Sequence, residues 1–348
     1  MRVLVTGGCG YIGVRLCDIF KDNPAIESVR IVDKGFFPSG VSYISAKYPE
    51  MEIVREDIRK IDKSVFDKID VVCHLAGLSN DPTADFNPEA NVEMNTVATA
   101  VIGDMAKSCG IKRMTFASSA SVYGFSHKVG LDENSPCDPQ SHYGQSKLDA
   151  EKELLKLADK HFEPVILRQA TVSGWSPRMR WDLVVNTMTL YALTKGIISV
   201  HAGGEACRPI IDVDDVALAH SLFLHAPGVG GQVFNVAHRR QPHGNAKPLT
   251  EGYVIGCLAL WIAHLLTEKG YKVNVIGDWN RAEGRSYDLS CEKMRQALGW
   301  EPKRGVAAMV DGLLANKQNF NDAETRNIDW MTALSYGQEL TDMFGGVF

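Results

Sequence analysis

The feature that most constrains the fold of this chain is an alternation of short apolar runs with helix-length segments through its first two thirds. The runs are rich in β-branched residues and occupy 2–7, 28–33, 51–57, 70–77, 113–119 and 163–171. Near-continuously apolar strands separated by helices are typical of a parallel sheet covered on both faces. The intervening segments with apolar residues at helical spacing are 11–22, 92–109 and 146–161. The alternation predicts a doubly wound α/β fold.

Composition narrows the class of protein further. The chain has 348 residues, of which 45% are hydrophobic, and a formal net charge of -5, so it can bury a large core and carries no broad basic field for nucleic acid. No C-x-x-C or H-E-x-x-H spacing occurs, so no metal site is predicted. The N-terminal stretch MRVLVTGG lacks a secretory apolar region, and the apolar stretch 253–266 is too short for a bilayer span of roughly 20 residues. We therefore expect a cytoplasmic protein without a membrane segment, in which 253–266 is a buried core helix.

The first predicted strand runs directly into the glycine-rich stretch TGGCGYIG, which a helical pattern follows. Gly7 suits a tight turn, Gly10 lets the backbone approach a pyrophosphate, and Gly13 lets helix and strand pack closely, with the phosphates at the helix N-terminus. Asp33 ends the second strand 20 residues after Gly13, where a carboxylate accepts hydrogen bonds from ribose hydroxyls. This context favours dinucleotide binding over a purely structural glycine turn.

Acidic residues at two strand ends bear on which dinucleotide binds. Asp33 repels the 2′-phosphate of NADP and favours NAD, although Lys34 beside it acts in the opposite direction. Asp57 ends the third predicted strand and has two interpretations: it hydrogen-bonds the adenine, or it is an ordinary acid in solvent. NAD is the predicted cofactor.

The stretch SHYGQSK places Tyr143 and Lys147 four positions apart at the start of a helical pattern. A free tyrosine has a pKa of about 10, too high for a base at neutral pH. A lysine one helical turn along lies on the same face, and its charge favours the phenolate. Ser118 or Ser119 follows a strand at the sheet edge where ligands bind, and would donate to the oxygen whose proton Tyr143 removes. An exposed helix pair and ordinary turn serines are the alternatives.

These residues resemble the extended short-chain dehydrogenase/reductases that act on nucleotide sugars. The resemblance covers nearly the whole chain and rests on motifs in a specific order, namely TGGCGYIG, Asp33, HLAG, Asn95 in EMNTVAT, SSASVYG, YGQSK, RPIIDVDDVALA and LGWEPK. It implies that Ser119 is the catalytic Ser/Thr, that Tyr143 is the base, and that Lys147 lowers the tyrosine pKa and holds the nicotinamide ribose. It also implies a homodimer formed through the helices at 92–109 and 146–161.

The predicted site residues follow from these patterns together with the resemblance. The cofactor contacts are Gly7, Gly10, Tyr11, Ile12, Gly13, Asp33, Lys34, Asp57, Ile58, Leu75, Ala76, Gly77, Asn95, Ser118, Tyr143 and Lys147. The substrate contacts are Ser79, Ser119, Ala120, Ser121, Thr171, Arg178, Arg180, Asn186, Arg208, Arg281 and Arg285. A forked, permanently charged guanidinium suits bidentate contact with a diphosphate, and a solvated surface role is the alternative for each arginine.

Beyond about residue 172 the alternation weakens, and turn formers and arginines become frequent. We therefore predict a Rossmann NAD-binding domain at 1–172, to which 208–240 returns with a strand at 232–237. Residues 173–207 and 241–348 form the predicted substrate-binding part.

The two positions after Ser119 bear on the reaction. The 4,6-dehydratases of the resembled family carry an Asp-Glu pair there and the decarboxylases a glutamate at the second position, whereas this chain has Ala120 and Ser121, as 4-epimerases do. Thr171 departs from the asparagine that sugar 4-epimerases often have. The resemblance implies an NAD-dependent nucleotide-sugar epimerase acting at C4 through a keto intermediate, in polysaccharide or glycoside biosynthesis. A reductase or dehydratase using another acid, and a non-enzymatic NAD-binding sensor, are the alternatives.

Overall fold

The computed structural model describes residues 1–126, 128, 130–238, 252–277 and 286–320. Its centre is a seven-stranded sheet in which every neighbouring pair is parallel. The strands of this sheet are β1 (Arg2–Thr6), β2 (Ser28–Val32), β3 (Glu52–Val54), β4 (Val71–His74), β5 (Arg113–Ser119), β6 (Glu163–Gln169) and β10 (Gln232–Val236). Their order is β10-β6-β5-β4-β1-β2-β3. Successive strands are added outward from β1 on one side and, after β3, from β4 on the other side, so the order in which strands are added reverses between β1 and β4. The predicted doubly wound α/β fold is confirmed.

Two small sheets lie beyond the central one. The first contains β7 (Thr171–Ser173), β9 (Cys207–Asp212) and β11 (Gly252–Val254), and the second pairs β8 (Ile197–Val200) with β12 (Asn274–Gly277). Of the predicted returning segment 208–240, β10 joins the central sheet, whereas β9 belongs to the small sheet. The predicted substrate-binding part 241–348 lies outside the described residues at 241–251, 278–285 and 321–348.

Helices cover both faces of the central sheet and build the smaller part. They are α1 (Tyr11–Lys21), α2 (Pro38–Lys47), α3 (Asp81–Phe86), α4 (Pro88–Val92), α5 (Ala98–Ser108), α6 (His142–Lys156), α7 (Val184–Lys195), α8 (Val213–His225), α9 (Ile255–Glu268), α10 (Glu292–Leu298) and α11 (Val306–Ala315). A π-helical turn, Glu93–Val97, joins α4 to α5, and short 3₁₀ turns occupy Lys63–Phe66, Ala120–Tyr123, Ala202–Gly204 and Lys317–Asn319. Among the described residues, no helix has both the length and the apolar character needed to cross a membrane.

The core follows from the side-chain alternation of the buried strands. Successive residues of β1 point to opposite faces, so Leu4 packs in the cluster that includes Ile102 of α5 and Leu154 of α6. Val5 packs instead in the cluster that includes Phe20 of α1 and Ile44 of α2. Among the described residues, both faces of the sheet are therefore covered by helices.

Element boundaries differ in detail from the sequence-based expectation, as three examples show. β3, the edge strand of the sheet, ends at Val54 rather than at 57, and Asp57 instead lies beside Lys34 in the wall of a cavity. The expected helix 92–109 is interrupted by the π turn. In the apolar stretch 253–266, the first two residues belong to β11, and the helix begins at Ile255.

Candidate active site at the carboxyl edge of the sheet

A cleft runs along the carboxyl ends of the central strands, where the strand order reverses, which is the usual ligand site of an open α/β sheet. It consists of two cavities. The acid-side cavity, of about 160 Å³, has Asp33 and Asp57 in its wall, and the tyrosine-side cavity, of about 450 Å³, has Tyr143 and Lys147 in its wall. The residues that line both cavities are Gly7, Leu75, Gly77, Ser79, Asn80 and Arg178. The two cavities therefore meet above the glycine turn.

The glycine turn is built so that larger residues do not fit. Gly7 has a φ of +73°, and a Cβ there would lie 2.7 Å from the backbone nitrogen of Ala76. A Cβ on Gly13 would lie 2.5 Å from the carbonyl oxygen of Gly7. Gly10 caps α1 without a side-chain hydrogen bond, and the first turn of the helix contains no acid. The first N–H groups of α1 are thus left to an anion in the cleft.

Asp33 is fixed by two backbone donors. Cys9 N donates to its Oδ2 at 3.0 Å, and Gly35 N donates to its Oδ1 at 2.8 Å. Burial raises the pKa of Asp33 above its usual value, and the two N–H donors together with the charge of Arg178 oppose that rise. The carboxylate is therefore held rigidly in the wall of the acid-side cavity.

Asp57 is not an acid in solvent, so that alternative is wrong. Its side chain is 3% exposed and is bound by Arg59, whose Nη2 lies 2.7 Å from Oδ2, and by Lys34, whose Nζ lies 3.3 Å from the same oxygen. Burial raises the pKa of Asp57, but the hydrogen bonds from Arg59 outweigh burial and hold that pKa well below its usual range. Lys34 thus forms an ion pair with Asp57 in the same cavity wall that contains Asp33.

Tyr143, Lys147 and Glu151 share one face of α6, at successive helical turns. Lys147 Nζ donates to the Ala117 carbonyl oxygen at 3.0 Å and lies 6.0 Å from the centre of the Tyr143 ring. Burial lowers the pKa of Lys147 to about 8, and the charge of Glu151 opposes that shift. The lysine therefore keeps its proton at neutral pH.

Burial raises the pKa of Tyr143 to about 12 in the protein without ligand. A hydrogen bond with Ser119 and the positive charge of Arg180 oppose this rise. The sequence assigned that electrostatic support to Lys147. The structure adds Arg180, a residue that the sequence analysis had assigned to the substrate, as a cation acting on the phenol.

The serines after β5 have separate partners. Ser118 Oγ donates to Glu151, which also forms a buried ion pair with Arg168. Ser119 Oγ accepts from Ser121 N at 3.2 Å and from Ser121 Oγ at 2.9 Å. Of the two serines left open by the sequence, Ser119 is thus the one whose hydroxyl is directed to the tyrosine. Ala120 is buried beside it and is not among the residues that line the cleft.

Asn95 lies behind the cleft wall. Its Oδ1 accepts from Leu78 N at 2.8 Å, and its Nδ2 donates to Leu78 O at 2.9 Å and to Ser146 Oγ at 3.1 Å. The residue sits in the π turn, a geometry that is frequent at functional sites. Asn95 therefore joins the turn after β4 to α6 and positions the cleft wall without lining it.

The predicted substrate residues are only partly brought together. Arg180 donates to Ser79 Oγ at 2.8 Å and forms a two-armed ion pair with Asp182 in the tyrosine-side cavity. Arg208 and Thr171 line the same cavity, with the Arg208 guanidinium 5.3 Å from the centre of the Tyr287 ring.

Two of the predicted substrate residues that the structure describes, Ala120 and Asn186, are not among those that line the cleft. Asn186 is fully buried, where its Nδ2 donates to Tyr11 OH at 3.1 Å and to the Arg180 carbonyl oxygen at 2.8 Å. Its contact with Arg180 makes it part of the support of that loop. Arg281 and Arg285 lie outside the described residues.

Comparison with known proteins identifies the family. A model of the NAD dependent epimerase/dehydratase family matches residues 3–237, about two thirds of the chain. The chain belongs to this family.

Relatives extend over nearly all of the chain. A protein of Methanocaldococcus jannaschii named "Putative UDP-glucose 4-epimerase" is 29% identical over 328 residues, covering 91% of this chain and 99% of the relative. The UDP-glucuronic acid 4-epimerase of Bacillus cereus, solved with UDP-glucuronic acid and NAD, has a TM-score of 0.76 at 24% identity and covers 92% of this chain and 100% of its own. The NAD-dependent NDP-hexosamine 5,6-dehydratase TunA has a TM-score of 0.77 at 20% identity, covering 92% and 98%.

Membership of the family confirms the sequence-based recognition, the predicted enzyme class and NAD as the cofactor. The cleft fits that cofactor. The uncapped N-terminus of α1 and the close approach at Gly7 suit a diphosphate, the fixed carboxylate of Asp33 suits ribose hydroxyls, and Lys147 lies at the far end beside the tyrosine. Other predicted site residues each line one of the two cavities. The acid-side cavity is lined by Gly10, Asp33, Lys34, Asp57, Ile58 and Ala76, and the tyrosine-side cavity is lined by Tyr11, Ile12, Gly13, Ser118, Ser119 and Ser121.

Several residues of the cleft were not predicted from the sequence. Asp182 stands two positions after Arg180, and an acid so close in the sequence could have indicated an ion pair with that arginine. Phe37 lies in the acid-side cavity, and the ring of Tyr287 faces Arg208 across the tyrosine-side cavity. Neither aromatic residue lies in a motif, so only the tertiary fold reveals them.

Proposed function

We propose that this family member is an NAD-dependent nucleotide-sugar epimerase that inverts C4. The observation that carries the proposal is the grouping of Tyr143, Ser119 and Lys147 on one wall of the tyrosine-side cavity, with Ala120 and Ser121 where a dehydratase would place carboxylates. The UDP-sugar epimerases among its relatives support a uridine diphosphate sugar as the substrate.

Each side chain has a role that follows from its contacts. Ser119 donates to the sugar C4 oxygen, and the phenolate of Tyr143 removes the hydroxyl proton from it. Lys147 holds its positive charge beside the ring and contacts the cofactor ribose. NAD, when bound, accepts the C4 hydride and later returns it. Once the keto-sugar has turned in the cavity, the Tyr143 phenol gives its proton back to the oxygen on the inverted carbon, so no net oxidation occurs.

The carboxylates of the cavity favour epimerisation over dehydration. Dehydration requires a protonated acid near the leaving hydroxyl. Burial raises the pKa of Asp182, but Arg180 outweighs burial and holds the pKa of that carboxyl below its usual value, so it stays ionised. Asp81, the other acid in the lining, accepts a hydrogen bond from Ser141 Oγ at 2.6 Å at the start of α6.

One assay separates the candidate functions. Purified protein is incubated with UDP-, GDP-, dTDP- and CDP-sugars without added cofactor, and the sugar configuration is followed by NMR. Inversion at C4 of a UDP-sugar supports the proposal, and a keto-deoxy product indicates a dehydratase. Turnover of a keto-sugar only with added reduced cofactor indicates a reductase. Retained NAD with no turnover of any sugar indicates a sensor.

We also propose that the protein is a homodimer formed through the face that carries α5. Four of the seven large hydrophobic side chains exposed among the described residues belong to the stretch 86–101, namely Phe86, Val92, Val97 and Val101. The π turn adds one residue to the helical repeat and so keeps Val92 and Val97 on one side. An apolar strip of this kind is a protein-contact surface. A cytoplasmic location and a place in polysaccharide biosynthesis stay predictions.

A further inference from the structure

Arg178 stands where the two cavities meet. It lines both of them and is 5% exposed. Its guanidinium carbon lies 3.5 Å from the centre of the Phe37 ring, and its Nη1 donates to the Met179 carbonyl oxygen at 3.0 Å. A stacked guanidinium with an anchored arm has little freedom to move. The charge is therefore held at a fixed point of the cleft.

The loop that carries Arg178 is fastened to the start of α1. Tyr11 OH donates to the Gly174 carbonyl oxygen at 2.6 Å, and Ser176 Oγ donates to the Tyr11 carbonyl oxygen at 2.8 Å. The loop 174–178 thus lies over the N-terminus of the helix that faces an anion. Arg178 belongs to the region after β7, yet these bonds place it against the glycine turn.

The position of Arg178 matches one part of a dinucleotide. In the acid-side cavity the carboxylate of Asp33 would hold the adenosine ribose of NAD, and in the tyrosine-side cavity Lys147 would hold the nicotinamide ribose. The diphosphate of NAD must then cross the junction between the cavities. A planar guanidinium binds a diphosphate through its in-plane N–H groups while its face is stacked on an aromatic ring, as here on Phe37.

We propose that Arg178 is a cofactor-binding residue that contacts the diphosphate of NAD from the side opposite α1. The sequence had assigned it to the substrate diphosphate. Arg180 and Arg208 line only the tyrosine-side cavity. The loop therefore divides its two arginines between the ligands: Arg178 clamps the cofactor, and Arg180 faces the sugar. The proposal rests on NAD as the cofactor and not on epimerisation at C4.

The test measures ligand binding directly, so a failure of the proposed reaction does not affect it. The protein is freed of bound nucleotide, and the dissociation constants of NAD, ADP-ribose, adenosine and UDP are measured by calorimetry for the wild type, Arg178→Met and the matched variant Arg208→Met. Arg178→Met is expected to weaken NAD and ADP-ribose by about tenfold or more and to leave adenosine and UDP within about twofold. Arg208→Met is expected to leave NAD and ADP-ribose unchanged.

The proposal would be overturned if Arg178→Met bound ADP-ribose with unchanged affinity, or if it bound UDP more weakly while its ADP-ribose binding stayed normal. It would also be overturned if the variant lost as much affinity for adenosine as for ADP-ribose, which would indicate a distorted cavity. Circular dichroism and thermal melting show whether the variant is folded. If Arg178→Met does not fold, Arg178→Lys takes its place. Lysine keeps the positive charge but lacks the planar, bidentate N–H donors of the guanidinium. The affinity for ADP-ribose is therefore expected to fall by about threefold or more, with the affinity for adenosine unchanged.

Discussion

At the scale of single residues, the chemistry of the cleft depends on charges placed around one phenol. Without ligand, burial holds the pKa of Tyr143 at about 12, and Ser119 and Arg180 are the neighbours that oppose burial. Lys147 carries its own burial penalty, with a pKa of about 8, and is fixed through the Ala117 carbonyl oxygen. Arg180 is thus the cation that opposes the rise in the pKa of Tyr143, whereas Lys147 lies 6.0 Å from the centre of the ring, and each of the two can be replaced separately.

Arg180→Met is expected to shift the acid limb of the kcat profile to higher pH. Removing this cation raises the pKa of Tyr143, so less phenolate is present at neutral pH, and activity recovers as the pH rises. The measurement is kcat against pH for wild type, Arg180→Met and Arg180→Lys, the last of which keeps the charge. A uniform loss at every pH, without a shift of the limb, would show that Arg180 acts only in binding.

Lys147→Met is expected to stabilise the cofactor-free protein at neutral pH. The folded-state pKa of Lys147 is about 8, against an ordinary value of 10.5, so the unfolded chain binds more protons between these pH values. The burial cost is therefore complete below pH 8 and disappears as the pH approaches 10.5. Urea unfolding at pH 7, 8, 9 and 10 should show the advantage of the variant shrinking by up to about 1.4 kcal/mol per pH unit. An advantage that does not change with pH would contradict the assignment.

At the scale of elements, buried histidines join the strands to the helices that cover them. Thr6 Oγ1 of β1 and Thr99 Oγ1 of α5 lie 2.6 Å and 2.8 Å from the two ring nitrogens of His74. His220 of α8 meets Thr115 Oγ1 of β5 at 2.9 Å and Gln169 Nε2 at the end of β6 at 2.8 Å. Burial lowers the pKa of each histidine to about 3. Both rings are therefore neutral links between layers.

These histidines predict a loss of stability in acid. The unfolded chain protonates each ring near pH 6.5, whereas the folded protein does so only near pH 3, so stability falls as the pH decreases through that window. His220→Gln keeps a hydrogen-bonding side chain and should flatten the slope of unfolding free energy between pH 4 and 6 by about 1.4 kcal/mol per pH unit. Urea unfolding at three pH values tests this, and a slope equal to that of the wild type would contradict it.

The elements and the motifs were predictable from the sequence to different degrees. Local patterns, namely apolar runs and glycines at a strand-to-helix junction, made some of these features predictable: the strands β1, β2, β4, β5 and β6 and the glycine turn. The π turn around Asn95 and the short β3 depend on packing between elements. The junction position of Arg178 depends on contacts of its loop with Tyr11, which is more than 160 residues earlier in the chain. No local pattern encodes such a contact.

At the scale of the whole molecule, the described residues place a cleft at the carboxyl edge of the sheet and a group of exposed apolar side chains on the face that carries α5. The cleft takes residues from both the central sheet and the loop after β7, so two regions of the chain converge where the cofactor and the proposed sugar substrate would meet. The exposed valines of the π turn and α5 lie outside the cleft lining and belong to the proposed dimer face. Catalysis and assembly are thus assigned to different surfaces.

Val97→Glu combined with Val101→Glu is expected to give a monomer. These side chains are 52% and 44% exposed, and charges placed there would oppose burial against a second copy. Light scattering after size-exclusion chromatography gives the mass. The matched control is Leu260→Glu on α9, which is 57% exposed and lies outside the proposed face, and it should stay dimeric. A monomeric wild type, or a double variant that remains dimeric, would contradict the proposal.

In the proposed reaction, Tyr143 removes an alcohol proton while the C4 hydrogen leaves as hydride and returns to the same carbon. The most direct measurement is an NMR time course of UDP-glucose in D₂O with the wild type and Tyr143→Phe, both without added cofactor. The wild type is expected to invert C4 with no deuterium at that carbon, and Tyr143→Phe is expected to retain NAD but to be slower by about 100-fold or more. Deuterium at C4, or inversion by Tyr143→Phe at a rate near that of the wild type, would contradict it.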